Sequence, residues 1–408
     1  MKILQLSNSD LNGGAAVASY RLHKALVNSS IDSKMLVNEK KSHEISVINK
    51  SSSLDNIKTI IKNRLIFQLR KIMKIKHPGT ISLNFFPSNI LKKINEIDHD
   101  IINLHWVNNE MLSINQISKI TKPFIWTFHD MWPMCGIEHY SDTSEYRDGY
   151  RKKKFFDLYY STWRKKKNFN KKMKIVCVSD WLAKKVKESY LFNELEVHTI
   201  PPCIDIKTWK NIEKNTSRNL LGFDSDEKII IFSSANGTSE KRKGFDLLLQ
   251  ALDNEHFKRD KYKLVVIGKI DNQDLNKIPI NHVNYLLNTT DNELIFKLLY
   301  SAADLLVIPS RLETFGQSII EAASCNTPSI GFKDTGVQEA IKHKETGYLA
   351  DNNDIEDFFN GIKWCFNEIK DKNNQLGVKA RKNIEQNFSY ECISQKYLKL
   401  YENLLKNK

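Results

Sequence analysis

Short, continuous apolar runs recur along the chain, each stopped by glycine, proline or a polar cluster and then followed by apolar residues at helical spacing. In the first half, residues 2–7, 34–37, 101–104, 124–128, 174–178 and 197–200 read as buried strands, and 17–27, 90–97 and 180–189 read as helices between them. A second series of strands runs through 228–233, 263–267, 283–286, 305–308 and 328–332, again with helical patterns between. Strands that alternate with helices in this way predict an α/β chain with two parallel, doubly wound sheets. Two prolines in Ile200-Pro-Pro-Cys-Ile-Asp205 interrupt the pattern, so the boundary is placed there: one domain over 1–205 and a second over 206–388. The tail from Ser389, with Ile393, Tyr397, Leu400 and Leu404 at helical spacing, predicts a terminal helix.

In an open parallel sheet, ligands sit beyond the carboxyl ends of the strands. The residues that follow the strands are Gly13-Gly14, His105-Trp106, His129-Asp130, Ser179-Asp180, Asn236, Gly268 and Pro309 to Glu313, so glycine and polar chemistry gathers at one edge of each sheet. The stretch from Asp304 to Glu321 reads as strand, sharp loop and helix, with Glu313 in the loop and Glu321 about 8 Å into the helix at the usual rise per residue. Two carboxylates thus bracket a helix N-terminus, where backbone N–H groups favour an anion. Lys241-Arg242-Lys243-Gly244 opens another helix with three cations, an unfavourable placement unless an anion comes near. The chain has neither Gly-x-Gly-x-x-Gly nor a phosphate-loop signature, so Gly13-Gly14 alone says only that the backbone can be approached closely.

Composition narrows the class. A chain of 408 residues, 41% hydrophobic, has ample material for two cores, and no segment approaches the roughly 18 apolar residues of a membrane span. The start carries no basic, apolar leader pattern, and six scattered cysteines without Cys-x-x-Cys read as reduced thiols; both predict a cytoplasmic protein. Net charge is +14, but residues 57–76 carry seven cations and 151–172 carry ten with one acid, so the rest of the chain is slightly acidic. Ile61, Leu65, Leu69 and Ile72 interleave with the first set, and Phe155, Phe156, Tyr159, Tyr160 and Trp163 with the second. Basic helices with apolar or aromatic faces suit an anionic bilayer surface, predicting peripheral attachment at the inner face of the plasma membrane. Asp98-His-Asp100 and Asp224-Ser-Asp226 fit a metal-binding Asp-x-Asp pattern, yet both precede a strand, the wrong end of a parallel sheet, and read as turns.

Lys243-Gly244, then Glu313-x7-Glu321 with Phe315-Gly316, Thr335-Gly336-x-x-Glu339 and Thr346-Gly347, resembles the retaining glycosyltransferases of family 4. Gly13-Gly14-Ala, Ile102-Asn-Leu-His105-Trp106 and Trp126-Thr-Phe-His129-Asp130-Met-Trp-Pro are similar to the branch that builds bacterial exopolysaccharide and O-antigen. The resemblance implies a GT-B fold: two Rossmann-like domains facing across a cleft, with the helix 389–408 crossing back to the first. It implies a nucleotide-sugar donor held mainly by the second domain, a glycan or lipid-linked glycan acceptor, and no metal or other cofactor. Carried onto this sequence, it implies that Lys243 pairs with the donor diphosphate, that Glu313 binds sugar hydroxyls and that Glu321 takes the ribose. Thr314, Phe315 and Gly316 would touch the donor through the loop, Gly13 and Gly14 would close over it, and His129 would approach the transferred sugar. The family's usual Arg six residues before the Lys is Gly237 here, leaving Lys241 or Arg242 as the second diphosphate contact.

Other readings stay open. A nucleotide-sugar epimerase or hydrolase on the same scaffold would need no acceptor, and His105 and His139 compete with His129 for its role. The basic windows are also compatible with nucleic-acid binding, but no binding motif accompanies them and no nucleic-acid partner is expected.

Overall fold

The computed structural model describes residues 1–49, 53–73, 75, 79–152, 155–169, 173–235, 237–253, 262–275, 277–278, 283–287, 292–371 and 373–406. Of the residues singled out above, Asn236 lies outside this set, as do residues 74, 76, 153, 154 and 170–172 of the basic windows. The chain forms two compact units, Met1–Cys203 with Ile393–Lys408 and Ile204–Cys392.

The first unit is built on a seven-stranded sheet in the order β3-β2-β1-β4-β5-β6-β7. Its strands are β1 (Lys2–Ser9), β2 (Asp32–Glu39), β3 (Val47–Asn49), β4 (Ile101–Leu104), β5 (Phe124–Phe128), β6 (Lys174–Cys177) and β7 (Val197–Thr199). Every neighbouring pair is parallel. β1 lies inside the sheet, with Leu6 opposite both Leu36 and Leu104, and its successive residues from Ile3 to Ser7 are all buried or nearly so, so both faces are covered. That burial is why these strands read as unbroken apolar runs. β3 has only three residues, grading from buried Val47 to exposed Asn49, too short to stand out in the sequence.

The C-terminal helix Tyr390–Lys406 completes this unit: Ile393, Tyr397, Leu400 and Tyr401 are buried. It is tied polar atom to polar atom, Ser394 Oγ to Ser29 Oγ at 3.0 Å and Tyr397 to Thr127 Oγ1 at 3.2 Å.

The second unit has a six-stranded parallel sheet in the order β10-β9-β8-β11-β12-β13. Its strands are β8 (Lys228–Ser233), β9 (Tyr262–Ile267), β10 (Val283–Leu287), β11 (Leu305–Ile308), β12 (Ser329–Phe332) and β13 (Gly347–Ala350). The helices Phe245–Leu252 and Ile355–Asp371 pack against one face, joining Ile230, Phe232, Leu248, Val307, Ile330, Phe358 and Ile362 into a continuous core. Both sheets therefore meet the expectation of parallel, doubly wound layers. β13, at the edge, is a four-residue strand opening on Gly347, too short and too glycine-led to stand out as an apolar run.

Asp98 and Asp100 lie in the segment just before β4, and both engage Lys2, through its ammonium and its backbone N–H respectively. All six cysteines are free thiols, five of them buried.

Candidate functional site

In the second unit the loops after β8 and β11 are sewn together. Residues Lys241–Lys243 form one turn of 3-10 helix, and Gly244 starts the helix Phe245–Leu252. Gly244 sits at φ 71°, and a Cβ there would meet the Pro309 carbonyl oxygen at 1.8 Å, so only glycine permits the loops to touch. Arg311 N–H donates to Arg242 O at 2.8 Å, the Arg242 guanidinium donates to Leu312 O at 2.8 Å, and Arg311 donates to Lys241 O at 2.8 Å. Arg311 also grips Asp246 with two 2.8 Å hydrogen bonds.

Glu313 stands at the centre of this seam with 7% of its side chain exposed. Lys243 Nζ donates to Glu313 Oε2 at 2.5 Å, and Arg242 Nη1 stands 3.8 Å from the same oxygen. Thr314 N–H reaches the other oxygen at 3.2 Å, and Gly336 N–H donates to the Glu313 carbonyl at 2.7 Å. Burial pushes the Glu313 carboxyl up, but the charges of Lys243 and Arg242 outweigh it and hold the group below the usual carboxylate range. The helix Gln317–Ser324 follows from Gly316. Glu321 is half-buried on that helix and accepts from the Tyr300 hydroxyl at 3.4 Å.

The structure thus brings Lys243 and Glu313 into direct contact, where the resemblance gave them separate ligand atoms. Arg242 is spent on Glu240, at 2.7 Å, and on Leu312 O, while Lys241 is exposed. Thr314 is buried, and Phe315 turns its ring into the protein against Phe388, 5.9 Å between centroids, so its side chain is core.

In the first unit, Gly13 caps the helix Gly14–Asn28 at φ 95°; a Cβ there would meet nothing within 4 Å, so backbone conformation alone calls for glycine. At the ends of β4 and β5, His129 Nε2 and His105 Nδ1 are 2.9 Å apart, and His105 Nε2 is 2.6 Å from Gln5 Oε1. Burial drives the His129 imidazole down to about 4; burial, then the neighbouring His129, drives His105 well below its usual value. Both rings are neutral near pH 7.

A second pair sits beside them. His139 Nδ1 and Asp130 Oδ2 are 2.6 Å apart, Trp106 Nε1–H donates to Asp130 at 2.9 Å, and Trp132 N–H donates to its other oxygen at 2.9 Å. Burial raises the Asp130 carboxyl, and the His139 charge with these donors brings it below the usual range. His139 therefore serves Asp130 and Ser82, the latter at 2.9 Å.

Some participants escaped the sequence reading. Gln5 and Tyr401 carry no motif, and Asn103 sits in the Ile102-to-Trp106 motif without being singled out; a polar residue inside an apolar strand was the signal for Gln5. Lys166, counted among the cations of a surface window, is buried instead, donating to Trp132 O, to Cys135 O at 2.9 Å and to Gly136 O at 2.7 Å. Its ammonium lies 3.7 Å from the Trp132 ring centre, so it clamps the loop beyond His129-Asp130. Asn109 and Glu110, just after His105-Trp106, both take left-handed backbone conformations, strain of the kind that concentrates at functional loops.

Residues 213–383 match the family model "Glycosyl transferases group 1", and residues 12–208 match "Glycosyltransferase Family 4". The two matches fall one in each half of the chain. An uncharacterized glycosyltransferase of Methanocaldococcus jannaschii is 25% identical over 381 residues, 88% of this chain and 90% of its own. The D-inositol 3-phosphate glycosyltransferase of Segniliparus rotundus is 28% identical over 171 residues, 40% of this chain but only 37% of that enzyme's length. Among solved structures, HepE of Anabaena in complex with UDP-glucose superposes with a TM-score of 0.69 at 18% identity, covering 99% of this chain and 100% of that one. The fold is GT-B. The glycosyltransferase group 1 match contains Lys243, Glu313 and Glu321, and the family 4 match contains Gly13, Gly14, His105 and His129.

Proposed function

We propose that this protein is a retaining, metal-independent glycosyltransferase that moves a sugar from a nucleotide-sugar donor to a hydroxyl of a growing bacterial surface polysaccharide or lipid-linked oligosaccharide. The observation that carries the reading is the Lys243–Glu313 contact at the seam of two glycine-gated loops, within the matched group 1 domain. A buried carboxylate with a cation on one oxygen can accept hydroxyl hydrogens, and the cation can meet a departing diphosphate. That charge is greatest in the transition state, where a fixed ammonium is most useful. The HepE complex with UDP-glucose supports a nucleotide-sugar donor. In this reading Lys241 is the second diphosphate contact, Glu321 takes the ribose, and the loop at Thr314, Phe315 and Gly316 offers backbone N–H groups. Gly13, Gly14 and His129 are the first unit's contributions, with His129 at the transferred sugar.

Peripheral attachment to an anionic bilayer is part of the proposal. The helix Ser53–Ile72 exposes Ile60, Ile61, Leu65, Phe67 and Ile72 alongside Arg64 and Lys71, and Phe155 and Phe156 are 81% and 74% exposed. Apolar side chains and cations on one exposed element complement a negatively charged bilayer. Among the described residues no helix is long and apolar enough to cross a membrane.

The test is a panel of nucleotide sugars scored by thermal stabilisation, followed by turnover with and without a glycan acceptor, with and without chelator. Stabilisation by one donor, acceptor-dependent turnover and survival in chelator are expected. Isomerised or released sugar without acceptor would favour an epimerase or hydrolase. Equal partitioning to neutral and anionic vesicles at low salt would remove the membrane component.

A further inference from the structure

Lys166 ends the helix Leu158–Lys166 and is only 1% exposed. Its Nζ donates to Trp132 O, to Cys135 O at 2.9 Å and to Gly136 O at 2.7 Å, and it lies 3.7 Å from the centre of the Trp132 ring. A carbonyl oxygen only accepts, so three of them around one nitrogen call for three N–H groups. A neutral amine has two and an ammonium three. Burial pulls this group below its ordinary value, and the carbonyls with the electron-rich ring face hold the proton against that pull. The chain thus cages a desolvated alkylammonium ion on its own tether.

The caged loop leads back to the carboxyl end of β5, and Trp132 is its hub. The Trp132 indole N–H donates to Ser82 O at 2.9 Å, and its backbone N–H donates to Asp130 Oδ1 at 2.9 Å. Asp130 Oδ2 in turn accepts from the Trp106 indole N–H at 2.9 Å and lies 2.6 Å from His139 Nδ1. Met131 N–H donates to His139 O at 2.9 Å, closing the loop on itself. Trp132, Asp130 and His139 are buried, whereas Trp106 is partly exposed. Asp130 follows His129 directly, and Trp106 follows His105. A shift of Trp132 therefore reaches, through one hydrogen bond, the carboxylate that aims the Trp106 indole, and through the chain, His129.

We propose that Lys166 is a positioning residue: its ammonium is a built-in cation that seats Trp132 and thereby holds Asp130, Trp106 and His129 in the arrangement that transfer requires. The consequence for turnover rests on the glycosyltransferase reading above; the cage and its link to Trp106 do not. Lys166→Ala keeps Cβ and removes the equivalent of propylammonium, leaving a cavity whose carbonyls select an alkylammonium ion over a neutral molecule of the same size. Lys166→Met fills that cavity without a charge.

The test uses the full chain. In the wild type the Lys166 ammonium is expected as an exchange-protected 15N signal bearing three protons, recognised by its nuclear Overhauser contact with the Trp132 ring. The Trp106 indole N–H, assigned through Trp106→Phe, is expected downfield because its acceptor is a carboxylate. In Lys166→Ala and Lys166→Met the Trp106 signal should move upfield and kcat should fall roughly tenfold or more, while donor KM moves less. Propylammonium chloride should return the Trp106 signal, the thermal midpoint and kcat of Lys166→Ala along one saturation curve. Sodium chloride and 1-propanol should not, and Lys166→Met should not respond. A two-proton Lys166 signal in the wild type, equal rescue by 1-propanol, or a lowered thermal midpoint with kcat and the Trp106 signal unchanged overturns the proposal. So does a Lys166→Ala chain that stays unfolded in propylammonium. Absence of transfer by the wild type would instead sink the functional reading, with the Trp106 signal and its recovery still deciding the role of Lys166.

Discussion

The two candidate clusters solve different problems. In the second unit, Glu313, Lys243, Arg242 and Glu240 are ions in two loops held at short range, and the carboxylate stays charged because its cations outweigh its burial. In the first unit, Gln5, His105, His129 and Tyr401 are neutral groups buried in a low-dielectric setting, where the order of protons rather than the balance of charge defines the state. An ionic cluster is sensitive to the loss of one partner. A neutral relay is sensitive to the arrival of a proton.

The largest effect expected is on the ionic side. Glu313→Ala should lower transfer by about 10³, the scale of removing one preorganised polar contact from a transition state. Its fold should survive, because Lys243 is 20% exposed and can turn to water. Wild-type turnover in that variant would sink the site assignment. The reverse deletion should behave differently: Lys243→Met leaves a carboxylate with 7% exposure whose remaining described cation is Arg242 at 3.8 Å, beside the Thr314 N–H and the Ser310 hydroxyl. Leaving a buried charge without its nearest partner costs about 3 to 5 kcal/mol. Urea unfolding of the two variants side by side measures the asymmetry, and equal losses would mean that the pair is solvent-screened.

The neutral side should fail first in acid. His23 is fully buried between Ser33 and Ser46, both 2.9 Å away, and burial lowers it to about 4, as it does His129. A histidine with a depressed folded value is neutral in both states at pH 7. Between its unfolded value of 6.5 and its folded value of about 4, only the unfolded chain binds the proton, so stability falls as pH falls through that window. The full span amounts to about 3 kcal/mol for His23, by the usual worth of a pKa unit. Glu313 has the opposite sign of charge: its depressed folded value adds stability above 4.5, lost only as pH drops through the folded value. Hydrogen exchange at pH 5 should therefore show the first unit opening before the second. Tryptophan fluorescence should follow the first unit, which holds Trp106, Trp126, Trp132, Trp163 and Trp181, five of the seven. Simultaneous opening of both units would remove the distinction.

Legibility in the sequence divides along the same line. Strands buried on both faces announce themselves as apolar runs, and the ionic cluster showed because Lys243 and Glu313 each lie in the segment that follows such a run, ten and five residues past its end. Their mutual contact did not show, because it depends on Gly244 admitting the Pro309 carbonyl, a tertiary fact. The relay was less visible still. Gln5 and Tyr401 are 396 positions apart, and neither belongs to a spaced pattern. Lys166 misled for a related reason: a cation in a basic window reads as surface, and only the three carbonyls gathered around it explain its burial.

The smallest effect tests whether ions matter in the second unit for being ions or for being buried. Arg311 and Asp246 make the cleanest fork geometry of the seam, two bonds of 2.8 Å, yet their side chains are 33% and 51% exposed. Exposed pairs are screened and costly in side-chain entropy, typically worth under about 1 kcal/mol. Asp246→Asn should therefore shift the urea midpoint only slightly and leave donor stabilisation unchanged. Arg311→Ala should cost a little more, since the same guanidinium also holds Lys241 O at 2.8 Å. If Asp246→Asn instead weakens donor binding as much as Lys243→Met does, the seam acts as one charged unit and the contrast between buried and exposed ions fails.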